Sequence, residues 1–133
     1  VKFYVFERNM LPLYSVKIIS GETVLQLNTL KKNKEFGLVY NRGKSFASKN
    51  LVIICLKRKY GPVRVGFSVS KKVGGSVLRN KIRRRLKECM RCYYSEISGS
   101  FHIIFVARRP IAVAAYSQIK DEMGYLLKKA GLL

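Results

Sequence analysis

Residues 63–87 read VRVGFSVSKKVGGSVLRNKIRRRLK. The first eight alternate without a break. Val63, Val65, Phe67 and Val69 take one side, and Arg64, Gly66, Ser68 and Ser70 take the other. Period two with a small, polar second side predicts a half-buried β-strand. Gly74 and Gly75 interrupt the chain, Ser76 offers a helix N-cap, and helical spacing runs from Val77 to about Ile97. At roughly 100° per residue, Leu78, Ile82, Leu86, Cys89 and Tyr93 form one apolar stripe facing a core. Asn80, Arg84, Lys87 and Arg91 form the opposite stripe, with Lys81 and Arg83 on its shoulders.

Working outward, Lys31–Asn41 predicts a short helix closed by Arg42 and Gly43, glycine being suited to a C-terminal cap. Leu51–Lys57 is a continuous apolar run that fits a central strand covered on both faces. The Lys59-Tyr60-Gly61-Pro62 turn leads into the alternating strand. Beyond the long helix, Gly99 precedes a strand at Phe101–Val106, Arg109-Pro110 breaks it, and Tyr116–Ala130 is amphipathic. Helix, strand, strand, helix, strand, helix is the order of an α+β fold, a two-layer α/β sandwich on one small sheet. Residues 1–29 show neither sustained period, and 1–27 are read as an N-terminal extension of uncertain order ahead of a domain at 28–133.

The charge balance narrows the function. Against 27 Lys and Arg the 133-residue chain has 7 Asp and Glu, a net charge of +20, while 48% of residues are hydrophobic. That apolar share supports a core, and the charge asks for a polyanionic partner, nucleic acid or an anionic membrane surface. The basic stripe of the long helix is one-signed over three turns, with Glu88 the nearest acid. A solvated face of mixed sign would avoid that repulsion, so the stripe reads as a docking ridge for phosphates. Arginine's planar fork suits phosphate oxygens, and Asn80 can meet a 2′-hydroxyl or a base edge. A membrane role is disfavoured because the ridge lacks Trp or Phe anchors. No apolar run reaches the roughly 18 residues of a transmembrane helix, and Glu7 and Arg8 interrupt the N-terminal apolar stretch, so a cytoplasmic protein is expected.

Catalytic groups are not evident. There is one histidine, His102, and the adjacent Asp121 and Glu122 point apart on a helix. Cys89 and Cys92 have metal-like spacing but no second pair, so core thiols are the better reading, and an odd count of three cysteines argues against disulfides. Lys71–Ser76 lacks the spacing of a phosphate-binding loop. No catalytic residue, protein-held metal or small-molecule substrate is expected of this chain.

Ser70-Lys71-Lys72-Val73-Gly74 followed by Val77-x-Arg79-Asn80-Lys81-Ile82-Arg83-Arg84-x-Leu86 resembles the signature of the bacterial ribonuclease P protein family, usually written around an Arg-Asn-Arg core. Leu30–Phe36 is similar to that family's opening helix, Gly43-Lys44-Ser45 to the start of its first strand, Arg64–Ser70 to the hairpin partner, and Ala107–Pro110 to the end of its last strand. Lys81 stands where the motif has its second arginine, and residues 1–27 exceed the family's usual short N-terminus.

The resemblance implies a mixed sheet with a left-handed β-α-β crossover, the scaffold of a small ribosomal-protein domain. It also implies a ribonucleoprotein endoribonuclease whose catalytic groups and Mg²⁺ reside in the RNA partner, and whose substrate is precursor tRNA. Lys71, Lys72, Arg79, Asn80, Lys81, Arg83, Arg84, Lys87 and Arg91 would then dock on the catalytic RNA. Phe36, Tyr40, Leu51, Ile54, Arg64 and Ser68 would hold the single-stranded 5′ leader, although the family often has an aromatic where Ile54 stands. Read without the resemblance, Phe36 and Tyr40 are i,i+4 core aromatics, and Arg64 and Ser68 fit solvated surface as well as a leader contact. A non-catalytic RNA-binding protein on the same scaffold remains the alternative.

Overall fold

The computed structural model describes residues 15–19 and 22–133, with side chains from Leu27 onward. A four-stranded sheet is built from β3 (Lys44–Ala47), β4 (Leu51–Lys57), β5 (Arg64–Ser68) and β6 (Phe101–Ala107), in the spatial order β3-β4-β6-β5. The β3–β4 and β4–β6 pairs are antiparallel, whereas β5 and β6 are parallel. A parallel pair needs a crossover, and α2 (Ser76–Tyr94) supplies it. A 3-10 turn at Arg109–Val113 and α3 (Tyr116–Lys129) complete the chain, while α1 (Asn33–Arg42) precedes the sheet. Upstream, β1 (Ser15–Ile19) and β2 (Glu22–Gln26) pair antiparallel as a separate hairpin. Its apolar-polar alternation is too brief to stand out by pattern alone.

The two faces of the sheet carry different loads. Leu51, Ile53, Cys55, Val65, Phe67, Ile103 and Phe105 project toward α2 and α3 and form the main core with Ile82, Leu86, Met90, Ile119 and Leu126. The Phe67 and Phe105 rings stack across the parallel pair at 6.2 Å. On the other face α1 rests through Val39 on Ile104, with Leu30, Phe36, Ile54, Leu56 and Val106 around them. Thus β4 is covered fully on one face and only in part on the other, because a ten-residue helix spans about 15 Å of sheet. The second face was expected to be as covered as the first.

Three local devices differ from their sequence reading. Gly43 has extended backbone (φ −73°), not the left-handed turn of a glycine cap. A Cβ there would lie 2.5 Å from the Val39 carbonyl and 2.8 Å from Ile54, so close approach of helix to sheet demands the glycine. The α2 cap is Gly75, one residue before Ser76. Cys92 is exposed, so only Cys55 and Cys89 are core thiols. Burial pushes the Cys89 thiol up to about 11.

Buried polar groups tie the periphery to the core. The Tyr94 hydroxyl donates to the Val63 carbonyl and accepts from Asn28 Nδ2 at 2.8 Å. Leu27–Leu30 are all buried, and Thr29 bridges to Val65 beside β5. At the far end, Glu122 of α3 accepts from Ser48 Oγ (2.6 Å) and the Asn50 amide (2.9 Å), and from Asn50 Nδ2. Burial alone would raise the Glu122 carboxyl, but the hydrogen bonds from Ser48 and Asn50, with Lys49 nearby, hold it below its usual value.

A carboxyl held low stabilises the fold above its unfolded pKa, and that contribution disappears as pH falls through the folded value. Glu122→Gln should therefore lower stability by about 1–3 kcal/mol at neutral pH. The deficit relative to wild type should shrink below about pH 4, as measured by urea denaturation across pH.

Candidate nucleic-acid interface

The long helix packs through a seam that does not run straight. Leu78, Ile82, Leu86, Met90 and Tyr94 follow one another at i,i+4, the last four buried and Leu78 half-buried. Successive i,i+4 positions advance by about 40° around the helix. The seam therefore winds toward the side that begins as the basic stripe. Met90 and Tyr94, not Tyr93 alone, close it at the C-terminal end. Tyr93 instead reaches α3, where its hydroxyl donates to the Lys120 carbonyl at 2.9 Å. Gly124 makes room for it, since a Cβ there would lie 2.6 Å from that hydroxyl.

This winding sorts the candidate cations. Lys71, Lys72, Asn80, Lys81 and Arg84 are exposed, whereas Arg79, Arg83 and Lys87 are half-buried. Arg91, expected on the outward stripe, has a side chain only 12% exposed and pairs with Glu88. It is removed from the presented ridge. Burial, with Arg79 beside it, lowers the Arg83 pKa; burial, with Arg83 beside it, lowers that of Lys87. Arg83 also organises the ridge, donating to Asn80 Oδ1 at 2.7 Å and to the Val69 carbonyl at 3.4 Å. The Asn80 amide NH₂ is thereby left as the donor it can offer outward. The Nε atoms of Arg79 and Arg83 are shielded from solvent without a partner.

On the opposite face of the sheet the register defines three rows across the strands. One runs Ala47, Val52, Val106, Ser68; the next runs Ser45, Ile54, Ile104, Gly66; the third runs Leu56, His102, Arg64. Helix α1 lies over the middle row. The Phe36 ring sits against Gly66 at one end, and Gly43 meets Ile54 at the other. Around α1, Phe36 and Tyr40 fall on one flank of buried Val39, while Glu35 and Arg42 fall on the other. Arg42 lines a groove with Leu56, Arg64 and His102. Phe36 and Tyr40 therefore overlook the row that holds Val52, Val106 and Ser68.

The six residues expected at a leader cleft are thus divided. Phe36, Tyr40 and Ser68 converge on one flank, with Tyr40 45% exposed. Ile54 is half-buried next to the helix end. Leu51 is fully buried in the main core and cannot reach a ligand. It is three residues from Ile54 on the same strand, and period two puts such residues on opposite faces. Arg64 belongs to the other flank, where it donates to the Thr29 carbonyl at 3.5 Å. Val52 and Val106, not Leu51, line this flank, and strand parity counted from Ile54 identifies Val52.

No cluster of three or more His, Cys, Asp or Glu side chains able to hold a metal occurs among the described residues. No helix among them is long and apolar enough to cross a membrane.

Comparison with known proteins gives one answer throughout. The ribonuclease P family model matches residues 25–131. The ribonuclease P protein component of Clostridium botulinum is 48% identical over 110 residues, covering 77% of this chain and 88% of the relative. That of Alkaliphilus oremlandii is 43% identical over 107 residues, covering 80% and 94%. The Staphylococcus aureus RNase P protein structure matches with a TM-score of 0.74 at 35% identity, over 80% of this chain and 98% of that one. The Thermotoga maritima protein shares the fold, with a TM-score of 0.70 at 24% identity over 77% and 96%.

The seat of Phe36 is directly testable. A Cβ at Gly66 would lie 2.7 Å from two ring carbons. Gly66→Ala should therefore overpack the site and lower stability by about 1–3 kcal/mol. Ser68→Ala, in the open row of the same strand, should change it by less than about 0.5 kcal/mol in the same denaturation assay.

Proposed function

Because the chain belongs to the ribonuclease P protein family, and so is the protein component of a tRNA-processing ribonuclease, we propose that it grips two RNAs with the two faces of its sheet. The α2 side binds the catalytic RNA of the enzyme. The α1 side binds the single-stranded 5′ leader of precursor tRNA. The observation that carries this reading is the segregation of surfaces. Lys71, Lys72, Asn80, Lys81 and Arg84 are exposed on the α2 side, while an aromatic and aliphatic flank, Phe36 and Tyr40 above Val52 and Val106, lies across the sheet.

Each surface suits its partner chemically. The ridge offers point and forked cations to phosphates, with Arg83 orienting Asn80 toward a 2′-hydroxyl or base edge. Lys81 keeps the charge of the family's second arginine but forgoes bidentate contact. On the leader side, stacking on aromatic faces holds bases with little regard to sequence, as a processing enzyme with many substrates requires.

The acids among the described residues are dispersed, so Mg²⁺ ions fit the RNA subunit better than this chain. There they would supply an activated water and charge neutralisation at the scissile phosphate. The protein's net charge of +20 offsets phosphate repulsion between the two RNAs and lowers the Mg²⁺ the assembly requires. The products are mature tRNA with a 5′-phosphate and a leader with a 3′-hydroxyl, and the setting is the bacterial cytoplasm.

The decisive measurement is cleavage of a precursor tRNA by bacterial ribonuclease P RNA at low Mg²⁺. Cleavage should require both components, and the protein alone should be inert. RNA binding without stimulated cleavage would reject the reading. Arg84→Ala should weaken holoenzyme assembly and reduce the salt slope of binding by about 1. Tyr40→Ala should weaken precursor tRNA binding by about 1–3 kcal/mol while leaving mature tRNA binding unchanged. Equal losses for both tRNAs would place Tyr40 outside the leader site.

A further inference from the structure

The flank of α1 away from Phe36 and Tyr40 is also a groove. Its floor is the row Leu56, His102, Arg64, and its walls are Arg42 of α1 and the turn carrying Arg58 and Tyr60. It encloses about 630 Å³, within the range that accepts a molecule of nucleotide size. No acidic side chain lines it, whereas Arg42, Lys57, Arg58, Lys59 and Arg64 do.

Three details make it more than a basic surface. Tyr60 is 87% exposed at its rim. The turn that carries the ring passes through Gly61 in a left-handed conformation (φ +102°), and the Arg58 amide is tied to the Ser100 carbonyl at 2.8 Å. The ring thus stands exposed on a loop whose first residues are tied to the chain just ahead of β6. His102 is half-buried, and its Nδ1 is shielded from solvent with no hydrogen-bond partner. Burial, helped by Arg58 and Arg64 and opposed by Glu35, holds this imidazole below its ordinary pKa. Those surroundings favour the neutral imidazole, which has one ring nitrogen to donate and one to accept.

An aromatic face, a row of cations and a neutral hydrogen-bonding edge are what a base, its phosphate and a 2′-hydroxyl require together. We propose that this groove is a second single-stranded RNA subsite, which takes leader nucleotides lying beyond those on the Phe36 flank. Tyr60 stacks a base, Arg58 and Arg64 hold its phosphates, and His102 meets a base edge or a sugar hydroxyl. The proposal rests on the leader reading above, because the strand must reach the groove from the first flank. A helix is about 10–12 Å across. At about 3.4 Å per stacked nucleotide, passing α1 takes roughly three nucleotides. Only longer leaders can fill both subsites.

The test is equilibrium binding of precursor tRNAs with short and extended leaders to the reconstituted holoenzyme. Wild type, Tyr60→Ala, Arg58→Ala and Tyr40→Ala would be compared, with circular dichroism confirming that each variant is folded. Tyr60→Ala and Arg58→Ala should each weaken extended-leader binding by about tenfold. Their effect on the short-leader substrate should be much smaller. Equal losses with both leaders, or none with either, would overturn the second subsite. Tyr40→Ala reports on the first flank independently. If it is silent while Tyr60→Ala still discriminates by leader length, the leader passes the first flank without stacking on Tyr40: that contact fails and the second subsite stands.

Discussion

Parallel pairing of β5 with β6 is the constraint from which the rest of the molecule follows. Two parallel neighbours cannot be joined by a tight turn, so the chain must leave the sheet after Ser68 and return at Phe101. The nineteen residues of α2 are that return path. Once α2 lies on one face, its apolar seam must point at the sheet and its cations must point away. The same crossover fixes the face of Val65, Phe67, Ile103 and Phe105, and leaves Ile104, Ile54 and Gly66 for the other. One hydrogen-bonding choice therefore sets a charged exterior on one side and a shallow apolar floor on the other.

The shallow side owes its character to how little covers it. A ten-residue helix anchored by Val39 can roof only the middle row of the sheet, and the rows on either side stay partly open. Glycines at both ends allow the helix to sit this close, Gly66 beneath Phe36 and Gly43 against Ile54. Side chains there would lift the helix and fill the flanks. The openness of this face is thus a packing solution in its own right.

Much of this was legible from the sequence, and the failures have physical causes. Strand β4 and the start of β6 were placed to the residue, since continuous apolar runs bounded by polar turns have few other readings. Alternation at Val63–Val69 gave the buried side of β5 correctly. The candidate site fared less well. A pattern shared across a family groups Leu51 with Ile54, although strand parity alone separates them. A fixed 100° wheel puts Arg91 on the outer ridge, whereas an i,i+4 seam drifts and draws that end of the helix inward. Met90 and Tyr94 escaped notice for the same reason. The division of Arg64 from Ser68 depends on where α1 crosses the strands, which no local pattern encodes.

The buried segment Leu27–Leu30 has a bearing on the company the protein keeps. By exchanging backbone hydrogen bonds with Val65, through the Leu30 amide and the Asn28 carbonyl, it caps the outer side of β5. An uncapped edge is a template on which a second chain can extend the sheet. The opposite edge, β3, is four residues long and begins with Lys44. Both margins of the sheet are thereby made poor sites for self-templated fibre growth, and polymerisation through its edges is discouraged.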